Sequence, residues 1–166
     1  MKKIVKIFCV LSCVFVFSAC DNQGQKSPET EKIEKSVPAE LVWLTDFEKA
    51  KETAAKENKP ILLVFSGSDW CSWCIKLDRE VFSTPAFKKW AVDNIVCMLV
   101  DFPAVKNLAP DLKKQNEKLR DTYNVEGYPT VFLLKADGSV IARTGYMAGG
   151  AAKYIKHLKM FIGAAK

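Results

Sequence analysis

Three runs of consecutive apolar residues in the chain predict buried strands. Residues 61–65 read Ile-Leu-Leu-Val-Phe, residues 94–102 contain Ile-Val-Cys-Met-Leu-Val, and residues 130–134 read Thr-Val-Phe-Leu-Leu. Continuous apolar character over about four to eight residues is typical of strands that are covered on both faces. The last run is followed by Asp137-Gly138, and this turn predicts a hairpin whose second strand spans residues 140–143.

Helices are predicted between these strands from their capping signals. Thr45 with Glu48 forms a capping-box pattern that opens a helix through about residue 57, and Pro85 after Thr84 suits the first position of another helix. Further elements are a short strand and three helices, predicted at residues 41–43, 71–80, 110–123 and 150–162. The order βαβα(α)βαββα predicts an α/β sandwich with a central mixed sheet.

The first 19 residues have the pattern of a secretory signal peptide. Lys2, Lys3 and Lys6 form a basic start, and the apolar stretch 7–17 is too short to span a bilayer comfortably. A basic start, an apolar run and a polar continuation occur together here. We therefore favour a signal peptide over a buried core helix or a transmembrane helix.

The signal peptide ends in Phe17-Ser18-Ala19-Cys20. Small residues before a cysteine at this place resemble the lipobox of bacterial lipoproteins, in which the cysteine is acylated after cleavage. We therefore expect Cys20 to carry a lipid that attaches the protein to a membrane. Phe17 stands where that motif more often has Leu, so ordinary cleavage near Ala19 is the alternative.

Composition divides the rest of the chain into a tether and one domain. Residues 20–40 follow the signal peptide with polar side chains, glycine and prolines, which are typical of a flexible tether. Residues 41–166 have the length of one domain. We expect this domain to be a monomer.

The net charge does not indicate a nucleic-acid partner. The formal charge is +6, and the three lysines of residues 1–19 account for half of it, which leaves +3 for the remainder. The other lysines mostly alternate with acids, as in the stretch 48–52, and this alternation is typical of solvated helix faces rather than of a clustered basic surface. The sequence contains neither a P-loop nor a G-x-G-x-x-G motif.

Two of the six cysteines form the chemically most informative motif, Cys71-Ser72-Trp73-Cys74, placed directly after a predicted strand and at the start of a predicted helix. Two thiols at this spacing can close a reversible disulfide, and helix N-terminal N–H groups favour the thiolate of the first cysteine. Zinc sites use the same spacing but need four ligands, and only His157 and buried Cys97 could complete one. In its apolar strand, Cys97 is better interpreted as a small hydrophobic residue.

The motif Trp70 to Cys74, the sequence Tyr128-Pro129-Thr130 and the element order together resemble the thioredoxin-fold family over residues 41–166. Residues 65–82 are similar to exported bacterial thioredoxin-like disulfide reductases, in particular periplasmic reductases of chlamydiae. A more distant similarity is to the soluble reductase domain of DsbD.

The resemblance implies a role for each residue of the motif. Cys71 would be the exposed nucleophile and Cys74 the buried resolving cysteine. Pro129 would match a cis-proline whose loop lies against the disulfide, with the backbone of Tyr128 pairing with an extended substrate. Trp70 would match the family tryptophan beside the site.

Four further side chains near the motif allow two interpretations each. Trp73 and Tyr128 are either a platform for substrate or packing residues. Many thioredoxins have a buried acid in the strand before the motif, and this chain has none there, while Asp69 is expected to be too exposed to replace it. Lys76 could favour a thiolate by its charge, but a solvent-facing helix lysine is the preferred interpretation.

Together these features predict an extracytoplasmic thiol–disulfide reductase that needs no cofactor. The resemblance implies disulfide-containing exported proteins as substrates and a DsbD-type transmembrane reductase as electron donor. Two alternatives stay open at this point. The same fold can act as an oxidase or isomerase, because the reduction potentials of C-x-x-C proteins vary widely. The pair could also bind Cu(I) or assist cytochrome or metal maturation in a non-catalytic lipoprotein.

Overall fold

The computed structural model describes residues 40–164, and their core is a five-stranded mixed sheet. The strands follow the spatial order β1-β3-β2-β4-β5, with β1 and β2 parallel to β3, and with β4 antiparallel to β2 and β5. Their bounds are Trp43–Leu44 (β1), Ile61–Ser66 (β2), Val96–Asp101 (β3), Thr130–Leu134 (β4) and Val140–Thr144 (β5). The predicted α/β architecture with a mixed sheet is confirmed.

Within residues 40–164, five α-helices flank the sheet, and a π-helical turn at Asp78–Phe82 extends the second of them. The helices are Phe47–Glu57 (α1), Ser72–Leu77 (α2), Pro85–Asn94 (α3), Pro110–Thr122 (α4) and Gly150–Ala164 (α5). Each helix lies where the sequence predicts one.

Some element boundaries differ from the prediction for local reasons. Asp46, not Thr45, is the N-cap of α1, and its carboxylate accepts the N–H of Lys49 at 2.9 Å. The first strand begins two residues later and ends one residue later than predicted, because Trp43 and Leu44 are the positions that pair with β3. The helix after the cysteine motif ends at Leu77, where the backbone widens into the π-helical turn.

The central strand β2 is buried on both faces, which explains its unbroken apolar sequence. Leu62 and Val64 belong to one hydrophobic cluster, whereas Ile61, Leu63 and Phe65 belong to the cluster on the other side of the sheet. Burial of a side chain of this size contributes about 1.5–3 kcal/mol. The strand therefore fixes the position of the loop that leaves its carboxyl end and leads to the cysteine motif.

Several sequence-based interpretations lie outside the described residues, namely the signal peptide, the lipid on Cys20 and most of the tether. Within residues 40–164, every helix is too short or too polar to cross a membrane.

Candidate active site

Cys71 and Cys74 are joined by a disulfide at the start of α2. Their Cα atoms are 5.2 Å apart, within the range usual for disulfides. Cys71 is the N-cap of the helix, and its Sγ atom accepts the backbone N–H of Cys74 at 3.2 Å. The backbone N–H of Cys71 itself donates to the carbonyl of Gly67 at 2.8 Å, which holds the preceding loop in a tight turn.

The two cysteines differ less in exposure than the resemblance implies. Cys71 is 6% exposed and Cys74 is 5% exposed. The expected contrast between an exposed and a buried cysteine is therefore absent in this disulfide-bonded form. The physical reason is that the Sγ atom of Cys71 is turned inward, towards Cys74 and its backbone N–H.

The Tyr128–Pro129 peptide bond is cis, as the resemblance implies. It immediately precedes β4, and Thr130 closes the turn by donating its hydroxyl to the carbonyl of Gly127 at 2.7 Å. Pro129 and Cys74 line the same cavity, so the proline loop and the cysteine motif lie side by side although they are far apart in sequence.

Trp70 packs beside the motif, half exposed. Its indole N–H donates to the carbonyl of Phe102 at 2.8 Å, and its ring stands edge-on to Tyr128 with centroids 5.9 Å apart. Gly67 leaves room for this indole, because a Cβ atom there would lie 2.6 Å from Nε1 of Trp70. Trp70 and Tyr128 thus form an aromatic wall next to the cysteines.

Asp69 attaches the loop before the motif to the segment after β3. The Asp69 carboxylate accepts the backbone N–H groups of Ala104 and Val105, each at 2.8 Å. These bonds lower the pKa of Asp69 below its ordinary value, and the side chain is exposed. Its structural role is to anchor a loop, which agrees with the expectation that it does not replace a buried acid.

Ser68 makes a second attachment of the same loop, to Asp101 at the end of β3. Its backbone N–H and its hydroxyl donate to the two carboxylate oxygens of Asp101, at 2.9 Å and 2.6 Å.

Lys76 is not a simple solvent-facing lysine. Its ammonium lies 5.1 Å from the ring centroid of Trp73 and 5.2 Å from that of Tyr146, and these two rings pack 5.2 Å apart. The Tyr146 hydroxyl donates to Glu80 at 2.7 Å. A cation over an aromatic face contributes about 0.5–1 kcal/mol at exposed sites, so this group holds the half-exposed Trp73 in place.

An open cavity of about 270 Å³ adjoins Cys74 on the side of α2 that faces the sheet. Its lining is mainly apolar, with three polar side chains, those of Ser66, Ser68 and Asp78. Asp78 lies one helical turn after Cys74, and its carboxylate accepts the Ser83 hydroxyl at 2.8 Å.

Cys97 and His157, considered above as zinc ligands, lie apart from the motif. Cys97 is in β3 and 1% exposed, and burial raises the pKa of its thiol. His157 is on α5, where its Nε2 atom lies 3.0 Å from the hydroxyl of Thr144. Among residues 40–164, no group of three or more His, Cys, Asp and Glu side chains is placed to hold a metal ion.

The structure thus brings together all the predicted site residues that it describes: Trp70, Cys71, Trp73, Cys74, Tyr128 and Pro129. Sequence reasoning missed Gly67, Asp78 and Tyr146. Two of these residues have a usable signal in the sequence. A glycine in the loop before a motif tryptophan indicates close packing, and an acid one helical turn after a cysteine indicates a carboxylate on the same side of the helix. Tyr146 has no local signal, since it reaches Trp73 only through the tertiary fold.

Comparison with known proteins agrees with this geometry. The family model described as a thioredoxin-like domain matches residues 47–161. The disulfide bond reductase DsbH of Chlamydia pneumoniae is 30% identical over 158 residues, which cover 92% of this chain and 95% of that protein.

Solved structures of other proteins have the same fold as this chain. One described as DsbH oxidoreductase superposes with a TM-score of 0.72 at 32% identity, covering 85% of this chain and 95% of its own. A thioredoxin from Thermus thermophilus, 17% identical, shares the fold with a TM-score of 0.53 over 74% of this chain and 87% of its own.

Proposed function

The chain belongs to the thioredoxin-like family, and from that premise we propose that it is a reductase of disulfide bonds in proteins outside the cytoplasm. Cys71 is the nucleophile and Cys74 the resolving thiol. The family and the close Cys71–Cys74 pair make the chain a thiol–disulfide oxidoreductase, and the direction of electron flow and the substrates are the proposed part.

The observation that carries the assignment of roles is the hydrogen bond from the Cys74 backbone N–H to Sγ of Cys71. When the pair is reduced, the same N–H faces the sulfur of Cys71 and favours its thiolate. Backbone donors and the helix dipole both stabilise negative charge at this position. Cys74 lies inside the first turn of α2 and gains no such stabilisation from the helix end.

The reaction proceeds in two exchanges. The Cys71 thiolate attacks one sulfur of the substrate disulfide, and the other substrate sulfur leaves as a thiolate that takes up a proton from solvent. Cys74 then loses its proton and attacks Sγ of Cys71, which releases the second substrate sulfur. The substrate gains two electrons and two protons, and the protein is left with the Cys71–Cys74 disulfide.

Three aromatic side chains and the proline loop form the surface on which substrate would lie. The backbone of Tyr128 precedes the cis bond to Pro129 and offers main-chain groups to an extended segment. Trp70 and Trp73 are each about half exposed beside the pair, at 52% and 54%, so each presents apolar area to a bound polypeptide. We propose that these side chains hold the substrate disulfide against Cys71.

Support for the reductase direction comes from the DsbH protein, which is described as a disulfide bond reductase. The match with this chain covers 95% of that protein. Oxidation of the pair must then be reversed by an electron donor. We propose a transmembrane reductase of the DsbD type for this role, because no flavin or nicotinamide motif is found in the sequence.

The test of direction is a titration of the Cys71–Cys74 pair of the purified protein in glutathione redox buffers. We expect a potential near that of thioredoxin, about −270 mV. A value as high as that of strong oxidants, about −120 mV, would refute the reductase and favour the oxidase.

We also propose that the protein is exported and held at a membrane by a lipid on Cys20. The basic and apolar start and the small residues before Cys20 support this proposal. The wild-type protein should be found in the membrane fraction with an acylated first residue. Cys20→Ala should release the domain or block its processing, whereas a wild-type protein without lipid and in the soluble fraction would refute the anchor.

A further inference from the structure

Cys74 is nearly buried, and in the mixed disulfide its thiol must lose its proton before it can attack Cys71. We propose that the carboxylate of Asp78 accepts this proton through water in the cavity beside Cys74. The inference rests on the proposed two-cysteine exchange and assigns a proton-transfer role to a residue outside the motif.

The backbone places Asp78 on the same side of its helix as Cys74. The two residues are four positions apart, and the backbone N–H of Asp78 donates to the carbonyl of Cys74. Side chains at this spacing are neighbours on a helix surface. Both of them line the open cavity of about 270 Å³, with Cys74 nearly buried and Asp78 exposed, so the cavity connects the thiol with a carboxylate that solvent reaches.

The cavity has the size and the polar groups needed to hold water. A water molecule occupies about 30 Å³ in the liquid, so the volume accommodates a short chain of them. Ser66 and Ser68 add two hydroxyl groups to the lining. An ordered water needs about two to four polar partners, and these hydroxyls, the carboxylate and the thiol supply them.

The carboxylate of Asp78 is oriented and has a free oxygen. Oδ2 accepts the hydroxyl of Ser83 at 2.8 Å, which fixes the side chain of Asp78 at the start of the π-helical turn. Within the part of the chain that the structure describes, Oδ1 accepts no hydrogen bond from protein, so it can take a proton from water.

The other charged groups around Cys74 are engaged elsewhere. Lys76, on the same helix, lies over two aromatic rings, and Glu80 of the π-helical turn accepts the Tyr146 hydroxyl. Asp69 accepts three backbone N–H groups of the segment after β3.

Asp101, at the end of β3, reaches the cavity only through the Ser68 hydroxyl that it binds. Asp101 is therefore the natural comparison for Asp78.

The step balances as follows. In the mixed disulfide, Sγ of Cys71 is bonded to a substrate sulfur and Cys74 carries a thiol proton. The proton moves through water to Asp78, the Cys74 thiolate attacks Sγ of Cys71, and the bond to the substrate sulfur breaks. The electron pair of that bond leaves with the substrate sulfur, which takes up a proton from solvent, and Asp78 returns its own proton to solvent.

The experiment uses the reduced protein and 5,5′-dithiobis(2-nitrobenzoate), which releases one coloured thiolate in each exchange. The first kinetic phase reports attack by Cys71 and the second reports resolution by Cys74. For Asp78→Asn we expect the second phase to slow by about tenfold at pH 6, because general-base assistance is lost. The wild-type and variant rates should meet above about pH 9, where a thiol ionises unaided.

The direction of this change separates proton transfer from a simple effect of charge. Removing a negative charge near Cys74 eases the ionisation of its thiol, and that effect alone would speed up the second phase. A second phase that is unchanged or faster in Asp78→Asn at pH 6 would therefore refute the proposal. The first phase serves as an internal reference and should be unchanged.

Two further variants complete the test. Asp101→Asn makes the same chemical change at the second carboxylate and should keep the wild-type second phase, whereas Asp78→Glu should restore much of the pH profile. A slow second phase in Asp101→Asn alone would assign the proton transfer to Asp101 and refute Asp78. A wild-type protein that shows no second phase would contradict the proposed function itself, which is a different outcome from a normal second phase in Asp78→Asn.

Discussion

The backbone N–H of Cys74 lies 3.2 Å from Sγ of Cys71, so one cysteine of the pair supplies a hydrogen-bond donor to the sulfur of the other. This relationship follows from the position of Cys71 as the N-cap of α2, where the first N–H groups of the helix have no carbonyl partner. In most helices a Ser, Thr, Asp or Asn oxygen fills this place. Here a sulfur does, and its anionic form gains most from the contact.

We predict that Cys71 is alkylated first when the reduced protein is treated with iodoacetamide at neutral pH. The N–H of Cys74 favours the Cys71 thiolate, which is the reactive species. Burial raises the pKa of the Cys97 thiol, so Cys97 should be labelled only after unfolding. Peptide mass spectrometry over a time course measures the order, and earlier labelling of Cys74 or Cys97 would contradict the assignment.

Cys74→Ser should accumulate mixed disulfides between Cys71 and substrate proteins, because the nucleophile is present and the resolving thiol is missing. Cys71→Ser is the matched variant and should accumulate few. Non-reducing gels of cell extracts, followed by identification of the trapped partners, measure the difference. Equal trapping by the two variants would contradict the division of roles.

The sequence was sufficient to predict the elements whose signals are local. Thr84 with Pro85 marked the start of α3 correctly, since the Thr84 hydroxyl accepts the N–H of Phe87 at the N-cap. The apolar runs predicted β2 and β4, because a strand buried on both faces needs apolar side chains at every position. The cysteine motif is a local pattern as well, whereas the place of Tyr128-Pro129 beside it came from the resemblance to the thioredoxin-fold family.

The arrangement around the pair depends on contacts between distant segments, and a single sequence contains no signal for these. Asp69 accepts backbone N–H groups of residues 104–106, and nothing in the sequence indicates that these two segments meet. Tyr146 meets Trp73 only because the segment before α5 passes the start of α2. The N-cap of α1 was missed for a local reason, because Thr45 and Asp46 are both suitable residues and only the bond to Lys49 distinguishes Asp46.

Gly67→Ala should disturb the wall beside the active site. The added Cβ would lie 2.6 Å from Nε1 of Trp70, so the indole must move and lose its hydrogen bond to the carbonyl of Phe102. Overpacking of this kind costs about 1–3 kcal/mol. Urea unfolding should show the loss, and exchange with a protein substrate should slow. Gly127→Ala is the control, because nothing lies within 4 Å of the added atom, and an equal loss there would contradict the explanation.

Asp69→Asn should remove a pH-dependent part of the stability. The N–H groups of Ala104 and Val105 lower the pKa of Asp69 below 3.8, so the charged carboxylate stabilises the fold above that pH. This contribution is lost as the pH falls through the lowered value. Urea midpoints of wild type and variant should therefore differ at pH 6 and converge below pH 3.8. Asp93→Asn removes an exposed carboxylate of α3 and is the control for the change of charge alone, and a difference at pH 6 as large as that of Asp69→Asn would contradict the explanation.

The direction of electron flow should appear as an asymmetry between two assays of the same protein. With dithiothreitol as electron donor, the wild-type protein should accelerate the reduction of insulin disulfides, whereas its oxidised form should be slow to oxidise a reduced, unfolded protein. The reason is equilibrium, since about 30 mV changes the equilibrium constant of this two-electron couple tenfold. A pair whose reduction potential lies well below that of its surroundings gives up electrons readily and seldom accepts them.

Cys71→Ser is the control and should be inactive in both assays, because it lacks the nucleophile. If the wild-type protein oxidised the unfolded substrate faster than it reduced insulin, the oxidase would replace the reductase, and the fold and the roles of Cys71 and Cys74 would be unaffected.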